Sequence, residues 1–519
     1  MEEPDPSPSL APGSSSGGAN TIGADVWRVA IVVILGMIMS ALDTTIVNVA
    51  LVSLSKDLHT DLDTVQWVVT AYLLSLAAVI PITGWAARRF GAKRLFILSI
   101  ILFTLGSALC GLAQSVPELI FFRVLQGIGG GLIMPIGTMI LVKKSGPARL
   151  PRVMSAVGVP IVLAPVIGPT IGGLLLDNAG WRWIFYVNVP IGIAAVIAAV
   201  KLLPKDKPED AGRLDVLGLV LIGAGLVGVT YGLADIGTAS FVSDKVLLPL
   251  VAGLVLVAAF VWRALRMERP LLDVRLYANK AFSAASLTTF CIGAALYGGM
   301  ILMPLYFQTV RGESAVMTGL LLAPQGVGSA LAIWLGGRAT ERFGGGVTAL
   351  IGGLVSIVAT IPFVMIGADT PFVFLCFAST IRGFGLGLSV MPAMTSAFRV
   401  LRPDQVNDGT PQLNVLQRVG GSLGVAILTV VLQSHLNQAG NSATAQAAAF
   451  GATFAWVLVL AAVATLPTLL LIRLERRAKA TAIPTAAGGD ASAGSPLAGT
   501  DLEMDLALVE AEEALIEAP

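Results

Sequence analysis

Charge is scarce in this chain. Only 13% of its 519 residues are Asp, Glu, Lys or Arg, and 55% are hydrophobic, whereas an average soluble domain is about 25% charged. That balance excludes a water-soluble fold of this size. Basic and acidic residues nearly cancel, at 33 against 32, and the basic ones fall in short clusters and form no continuous face. The electrostatic footprint of a nucleic-acid partner is missing. There are two histidines, His59 and His435, each alone in a polar connection. The three cysteines, Cys110, Cys291 and Cys376, each sit inside an apolar run with no CxxC or Cys/His spacing. Free buried thiols and no metal centre follow. A GxxxxGK[ST] loop is absent, and no connection is long enough for a nucleotide-binding domain, so neither a nucleotide nor another cofactor is expected. Acid, His or Ser/His groups clustered at one depth are also lacking, which argues against a membrane-embedded enzyme.

What the chain has in abundance is apolar runs of about 20 residues, the length that crosses a bilayer core of about 30 Å at 1.5 Å per helical residue. Fourteen are read, over 27–51, 64–86, 95–114, 118–142, 153–176, 182–203, 214–234, 246–265, 282–306, 315–337, 347–367, 372–398, 409–433 and 448–472. Residues 1–25 are rich in Pro, Ser and Gly, have no Lys or Arg, and lack the basic start and apolar stretch of a signal peptide. A disordered tail is expected there. A second tail, acidic and mostly disordered, is expected over 480–519, where DLEMDLALVEAEEALIEA also fits a short amphipathic helix.

Loop charges orient the spans, because Lys and Arg gather in cytoplasmic connections. With the N-terminus inside, the inner connections and the segment after the last span carry 25 Lys and Arg residues; the outer loops carry only Lys56, Arg182, Lys245 and Arg311. A miscounted span near the middle would scramble that split. Fourteen helices with both termini cytoplasmic are therefore expected.

An internal repeat divides the spans. GWAARRFG at 84–91, closing span two, and GRATERFG at 337–344, closing span ten, both read GxAxxRFG. Span four holds Arg123, a glycine run and Met134-Pro135; span twelve holds Arg382, a glycine run and Met391-Pro392, with the arginines two residues out of register. An offset of eight spans gives a six-helix half at 26–203, two interposed helices at 204–270, and a second six-helix half at 271–479. Parallel halves of this kind hold a substrate site between them and alternate access by rocking. The 57 glycines fit close, sliding helix contacts, and most of them simply pack helices.

Charges inside spans are functional candidates, since each costs at least about 2.5–3.5 kcal/mol at a helix centre. Asp43 lies about 12 Å and Arg123 about 8 Å from the outer ends of their helices, a similar depth that allows contact. Two readings stay open: a protonatable carboxylate whose charge is coupled to the arginine, or a permanent ion pair that orients the helices. Arg382, near the midplane with no acidic partner in the spans, either faces a cavity and favours anionic or hydrogen-bonding groups, or bonds backbone carbonyls beside the glycines. Arg418, with Asn414 and Gln417, reads as packing and gating near the inner side. Gly168, Pro169, Gly172 and Gly173 interrupt backbone bonding in span five and leave one flat face, a hinge or a tight packing surface.

These residues carry a family resemblance. LDTTIVNVAL at 42–51 matches LDxTIVNVAL; RVLQGIG at 123–129 is similar to RxxQGxG; GPTIGG at 168–173 is similar to the antiporter motif GPxxGG; WRWIFYVNVP at 181–190 resembles WRWIFxxNxP. In order and at the right spans, they make the chain resemble the fourteen-span drug:proton antiporters of the major facilitator superfamily over residues 27–475. Arg88 stands where that family carries an Asp, and Ala164 where its antiporter motif opens with Gly. The resemblance implies an all-α major facilitator fold and a proton-coupled antiporter in the plasma membrane, exporting hydrophobic or amphipathic small molecules as a monomer. It implies proton coupling at Asp43 and Arg123; a substrate cavity is expected to include Asn48, Gln126 and, in the first of its two readings, Arg382. It places cytoplasmic gating at Gly84, Arg88, Arg89, Gly91, Gly337, Glu341, Arg342 and Gly344. The alternative is an exporter or facilitator of one physiological solute or lipid.

Overall fold

The computed structural model describes residues 23–206, 208–235, 243–440 and 442–481. The expected tails lie outside these residues, except at their inner ends, where the first helix begins at Ala24 and the last ends at Thr481. In chain order the α-helices are α1 (Ala24–Asp57), α2 (Leu62–Val79), α3 (Thr83–Phe90), α4 (Ala92–Leu112), α5 (Val116–Ala179), α6 (Trp183–Tyr186), α7 (Asn188–Leu202), α8 (Val216–Asp235), α9 (Asp244–Arg266), α10 (Lys280–Leu305), α11 (Ala315–Phe343), α12 (Gly345–Val364), α13 (Phe372–Arg399), α14 (Val406–Ala439) and α15 (Ala443–Thr481).

Among the described residues, thirteen helical stretches are long and apolar enough to span a bilayer. The remaining expected span, 153–176, is helical too, as the second limb of α5. Spans four and five are two helical limbs of α5 that meet at a kink at Gly146, where the backbone leaves helical geometry at φ 69°, a conformation open to glycine without a Cβ penalty. The second span contains a different irregularity. Pro81, which has no N–H to give, sits in a 3₁₀ turn at Ile80–Ile82 that joins α2 to α3.

The helices form two six-span bundles with two helices interposed. In the first bundle α5 packs on α1, α2 and α4; in the second, α13 packs on α11 and α12, and α10 on α14. Between bundles, α5 lies along α11, and α14 touches α3 and α5. The interposed α8 touches both α2 and α14. Its partner α9 is the most peripheral helix, presenting Leu248, Leu254, Val255 and Trp262 outward, as a lipid-facing surface does.

Apolar packing is uneven along the bundle axis. One buried cluster joins the two halves at the end holding Arg88, taking Phe96, Ile136 and Val153 from the first and Phe282, Phe398 and Leu413 from the second. Toward the opposite end the clusters separate. One, around Val47, Trp181 and Phe185, belongs to the first half; another, around Tyr306, Phe363 and Phe454, belongs to the second.

Candidate functional site

Asp43 and Arg123 meet. The Arg123 Nη1 donates to Asp43 Oδ2 at 2.6 Å, and both side chains are inaccessible to solvent. The other carboxylate oxygen, Oδ1, accepts from Gln126 Nε2 at 2.9 Å and from Asn188 Nδ2 at 3.1 Å. Three donors from two helices thus surround one carboxylate carried by a third. Arg123 is itself held in place: Nε donates to the Val68 carbonyl at 3.0 Å, Nη1 also reaches Gln126 Oε1 at 2.8 Å, and the guanidinium lies 4.0 Å from the centre of the Tyr72 ring. Asn188 also donates to Ser107 Oγ, which donates to the Phe185 carbonyl. Both carboxylate oxygens are bonded, while Arg123 Nη2 and the Tyr72 hydroxyl have no hydrogen-bond partner among the described residues; charge-assisted bonds of this kind are what permit two ions to persist away from water.

Local sequence explains the convergence. Arg123 and Gln126 are three residues apart on α5 and so share a face. Asn188 opens α7 immediately after the short α6, where Phe185 of α6 and Trp181 just before it anchor that corner in the apolar cluster around Val47. Asn188 and Ser107 are contributors that motif reading did not assign. The only signal was the Asn in WRWIFYVNVP, a polar group at the start of an apolar span.

The three residues expected to share a substrate cavity are not brought together in this conformation. Gln126 is buried in the ion-pair network. Asn48 is exposed on α1, its side chain reaching back to the Thr44 carbonyl at 3.4 Å. Arg382 lies in the second bundle, buried to 1% exposure in a small cavity between α10, α12, α13 and α15.

The glycines of span five stay helical; Gly146 is the non-helical position of α5. Their effect is proximity. A Cβ on Gly168 would stand 2.2 Å from Thr45 Oγ1, and one on Gly172 would stand 2.8 Å from Ile46 Cγ1. The second limb of α5 therefore presses on α1 within three residues of Asp43. Pro169 shares this stretch of helix.

The two GxAxxRFG segments make reciprocal contacts across the halves. Gly84 lets α3 approach the Asn407 carbonyl on α14, and Arg88 binds Asp408 at 2.9 Å. Gly337 lets α11 approach Arg152 and Ser155 on α5, and Glu341 binds Arg152 at 2.5 Å. Arg88 closes α3 and Asp408 opens α14, so each charge sits at the helix end whose macrodipole favours it. The replacement of the family's Asp by Arg88 is thereby matched by an acid on the facing helix, which the sequence alone did not disclose. Arg89 and Arg342 are exposed, Arg342 lying over Phe343.

Gly91 and Gly344 end their helices at φ 85° and 90°, and the helices that follow are capped in matching ways. Asp206, just past span six, accepts from the amides of Ala92 and Lys93. Glu475, just past the last span, accepts from the Gly346 amide at 3.0 Å.

Residues 33–425 match the sequence profile of the Major Facilitator Superfamily. The chain belongs to that superfamily. Among superfamily members it is 39% identical over 424 residues to a protein of Mycobacterium tuberculosis named "Multidrug resistance protein B homolog", covering 81% of this chain and 78% of that one. It is 34% identical over 412 residues to the "Methylenomycin A resistance protein" of Bacillus subtilis, covering 79% and 88%. Among solved structures, the human organic anion transporter MFSD10 superposes with a TM-score of 0.59 at 15% identity, over 86% of this chain and 99% of that one. A proton:xylose symporter, XylE, superposes at 0.56 and 14% identity, over 84% and 95%. At such identities these two share the superfamily fold and nothing finer is drawn from them.

Proposed function

We propose that this protein is a proton-coupled antiporter that exports small hydrophobic or amphipathic compounds across the plasma membrane, with both termini cytoplasmic. The observation that carries the reading is the Asp43 carboxylate, buried within span one and held by Arg123, Gln126 and Asn188. A proton arriving on Asp43 cancels its attraction to Arg123 and turns an acceptor oxygen into a donor, so the network has to rearrange. Because α1 packs on α5 at Gly168 and Gly172, rearrangement at Asp43 acts directly on the contact that the antiporter motif forms. Resistance-protein relatives support export as the direction.

In this reading the halves 26–203 and 271–479 rock against each other, and residues 204–270 attach at the side. The conformation described is closed at the Arg88 end, which the charge split of the loops assigns to the cytoplasm. Moving one charge through about 150 mV yields about 3.5 kcal/mol, enough for a several-hundred-fold gradient from one proton per cycle.

The test is transport in proteoliposomes under an imposed pH gradient, with lipophilic cations, neutral drugs and anions as probes. Native protein moves substrate in proportion to the gradient, and Asp43→Asn, folded and inserted to the same level, does not. Gradient-driven transport that survives in Asp43→Asn removes the coupling role and leaves a structural ion pair. Transport indifferent to the gradient in the native protein points to a facilitator.

A further inference from the structure

Among the described residues, the second bundle contains a cation without a countercharge, Arg382. Arg382 sits on α13 as Arg123 sits on α5, between helices that are the repeat counterparts of α1, α4 and α7. Around Arg123 those helices bring a carboxylate, an amide and a hydroxyl. Around Arg382 they bring no acid: α10, α12 and α13 contain no Asp or Glu, and the acid of α15, Glu475, is 18 residues beyond the Val457 that lines the Arg382 cavity. That separation is about 27 Å along the helix. Where the first bundle has Asp43, the second has Gly299, against whose Cα the guanidinium lies so closely that a Cβ would stand 2.0 Å from Nη2. A side chain there would displace the guanidinium.

The arginine is 1% exposed, and its Nη1 has no hydrogen-bond partner among the described residues. Beside it is a cavity of about 30 Å³ whose polar lining includes Ser356 and Ser389. Ser389 is already committed to the Ala349 and Gly385 carbonyls. Ser356 makes no side-chain hydrogen bond among the described residues and offers its hydroxyl to the cavity.

We infer that the cavity beside Arg382 binds a small inorganic monovalent anion of the halide class, which supplies the countercharge that the second repeat lacks. A buried guanidinium requires a paired charge or a full set of acceptors, and the described residues supply neither, only the Phe454 ring, its centre 5.9 Å from the guanidinium carbon. The donors facing the cavity, Arg382 and Ser356, suit an acceptor-only ligand. The volume exceeds the roughly 10–15 Å³ that one water needs and is an order of magnitude below the pockets that hold drug-sized molecules. The anion is thus a structural partner of the second bundle, separate from the exported substrate, and the inference stands whether or not transport is proton-coupled.

The experiment is thermal unfolding of the purified full-length protein at constant ionic strength and cation, titrating chloride or bromide against gluconate. Native protein gains stability with halide along a saturating curve, as mass action requires of a ligand bound only when folded. Arg382→Met shows no halide response, and Ser356→Ala shows one displaced to higher concentration by about three- to tenfold. Equal unfolding temperatures in halide and gluconate overturn the inference, as does an undiminished halide response in Arg382→Met. A response to formate with none to halide also overturns it, assigning the cavity to an organic carboxylate. If Arg382→Met does not fold, crystals of native protein grown in bromide decide: an anomalous peak within hydrogen-bonding distance of Arg382 supports the site, and its absence at saturating bromide refutes it.

Discussion

If the halves rock as proposed, the Arg88–Asp408 pair is a lever on the conformational equilibrium, and its size follows from where it sits. The two side chains are 2.9 Å apart and only 18% and 17% exposed, so water screens them poorly. Unit charges about 4 Å apart attract by about 4 kcal/mol at an effective dielectric near 20; removing one partner of a fully buried pair costs about 3–5 kcal/mol because the other charge is left unpaired, and the partial exposure of this pair lowers that to about 2 kcal/mol. Arg88→Ala therefore destabilises the closed Arg88 end by about 2 kcal/mol, roughly a thirtyfold change in the open-to-closed ratio at 1.4 kcal/mol per factor of ten. Arg88→Asp goes further, because it sets two carboxylates face to face. Combining it with Asp408→Arg restores the attraction, although not fully. The swap puts an anion at the end of α3 and a cation at the start of α14, each about 0.3–1 kcal/mol less favourable against the helix dipole. Distances between spin labels at the exposed Lys144 and Arg399, in a background without Cys110, Cys291 and Cys376, read out the populations. The expected order of closure is native, double swap, Arg88→Ala, Arg88→Asp. An unchanged distribution in Arg88→Ala, or a double swap as open as Arg88→Asp, would refute the argument.

Three further predictions concern the other contacts. Asn188→Leu deprives the Asp43 carboxylate of one donor, a loss of about 1.5–3 kcal/mol for a bond to a charged group, and thermal unfolding of the purified protein should fall accordingly while Ser107→Ala costs less. Gly168→Ala drives a methyl into Thr45 Oγ1 and should abolish transport; adding Thr45→Ala removes the clashing oxygen and should recover part of it, whereas no recovery would disconnect the defect from the α1 contact. Asp206→Ala and Glu475→Ala each remove a helix-start acceptor, typically worth about 0.5–2 kcal/mol. Hydrogen exchange should accelerate at Ala92 and Lys93 in the first variant and at Gly346 in the second.

The sequence carried far because a bilayer leaves a chain few options. Backbone groups must be satisfied within each span, so apolar run length fixes the helices, and the loop arginines and lysines predict their direction. The largest departure is at spans four and five, which meet at a single kink, Gly146, in place of the longer loop expected around 143–152; the glycine at positive φ followed by Pro147 makes that turn in one residue. The repeat was legible because it is written in short glycine and arginine motifs. Asp43 and Arg123 stood out as partners because charges within spans are few and these two lie at similar depth.

Pairing across the halves was invisible for the opposite reason. Asp408 and Arg152 sit among other charged residues near helix ends, where cost is low and partners are many, and only the packing of α3 on α14 and α11 on α5 selects Arg88 and Glu341 for them. Asn188 enters the ion-pair network through the turn of α6, which no spacing rule encodes. Arg382 shows the boundary most plainly. Its sequence shows a cation with no acid in the nearby spans; the folded bundle decides that it faces Gly299, Ser356 and a water-sized cavity inside one half. Composition and hydropathy determined the class, the spans and the repeat, because those depend on transfer of residues from water to lipid. Which charges meet, and which is left without a partner, depends on distances between helices, and tertiary packing alone sets those.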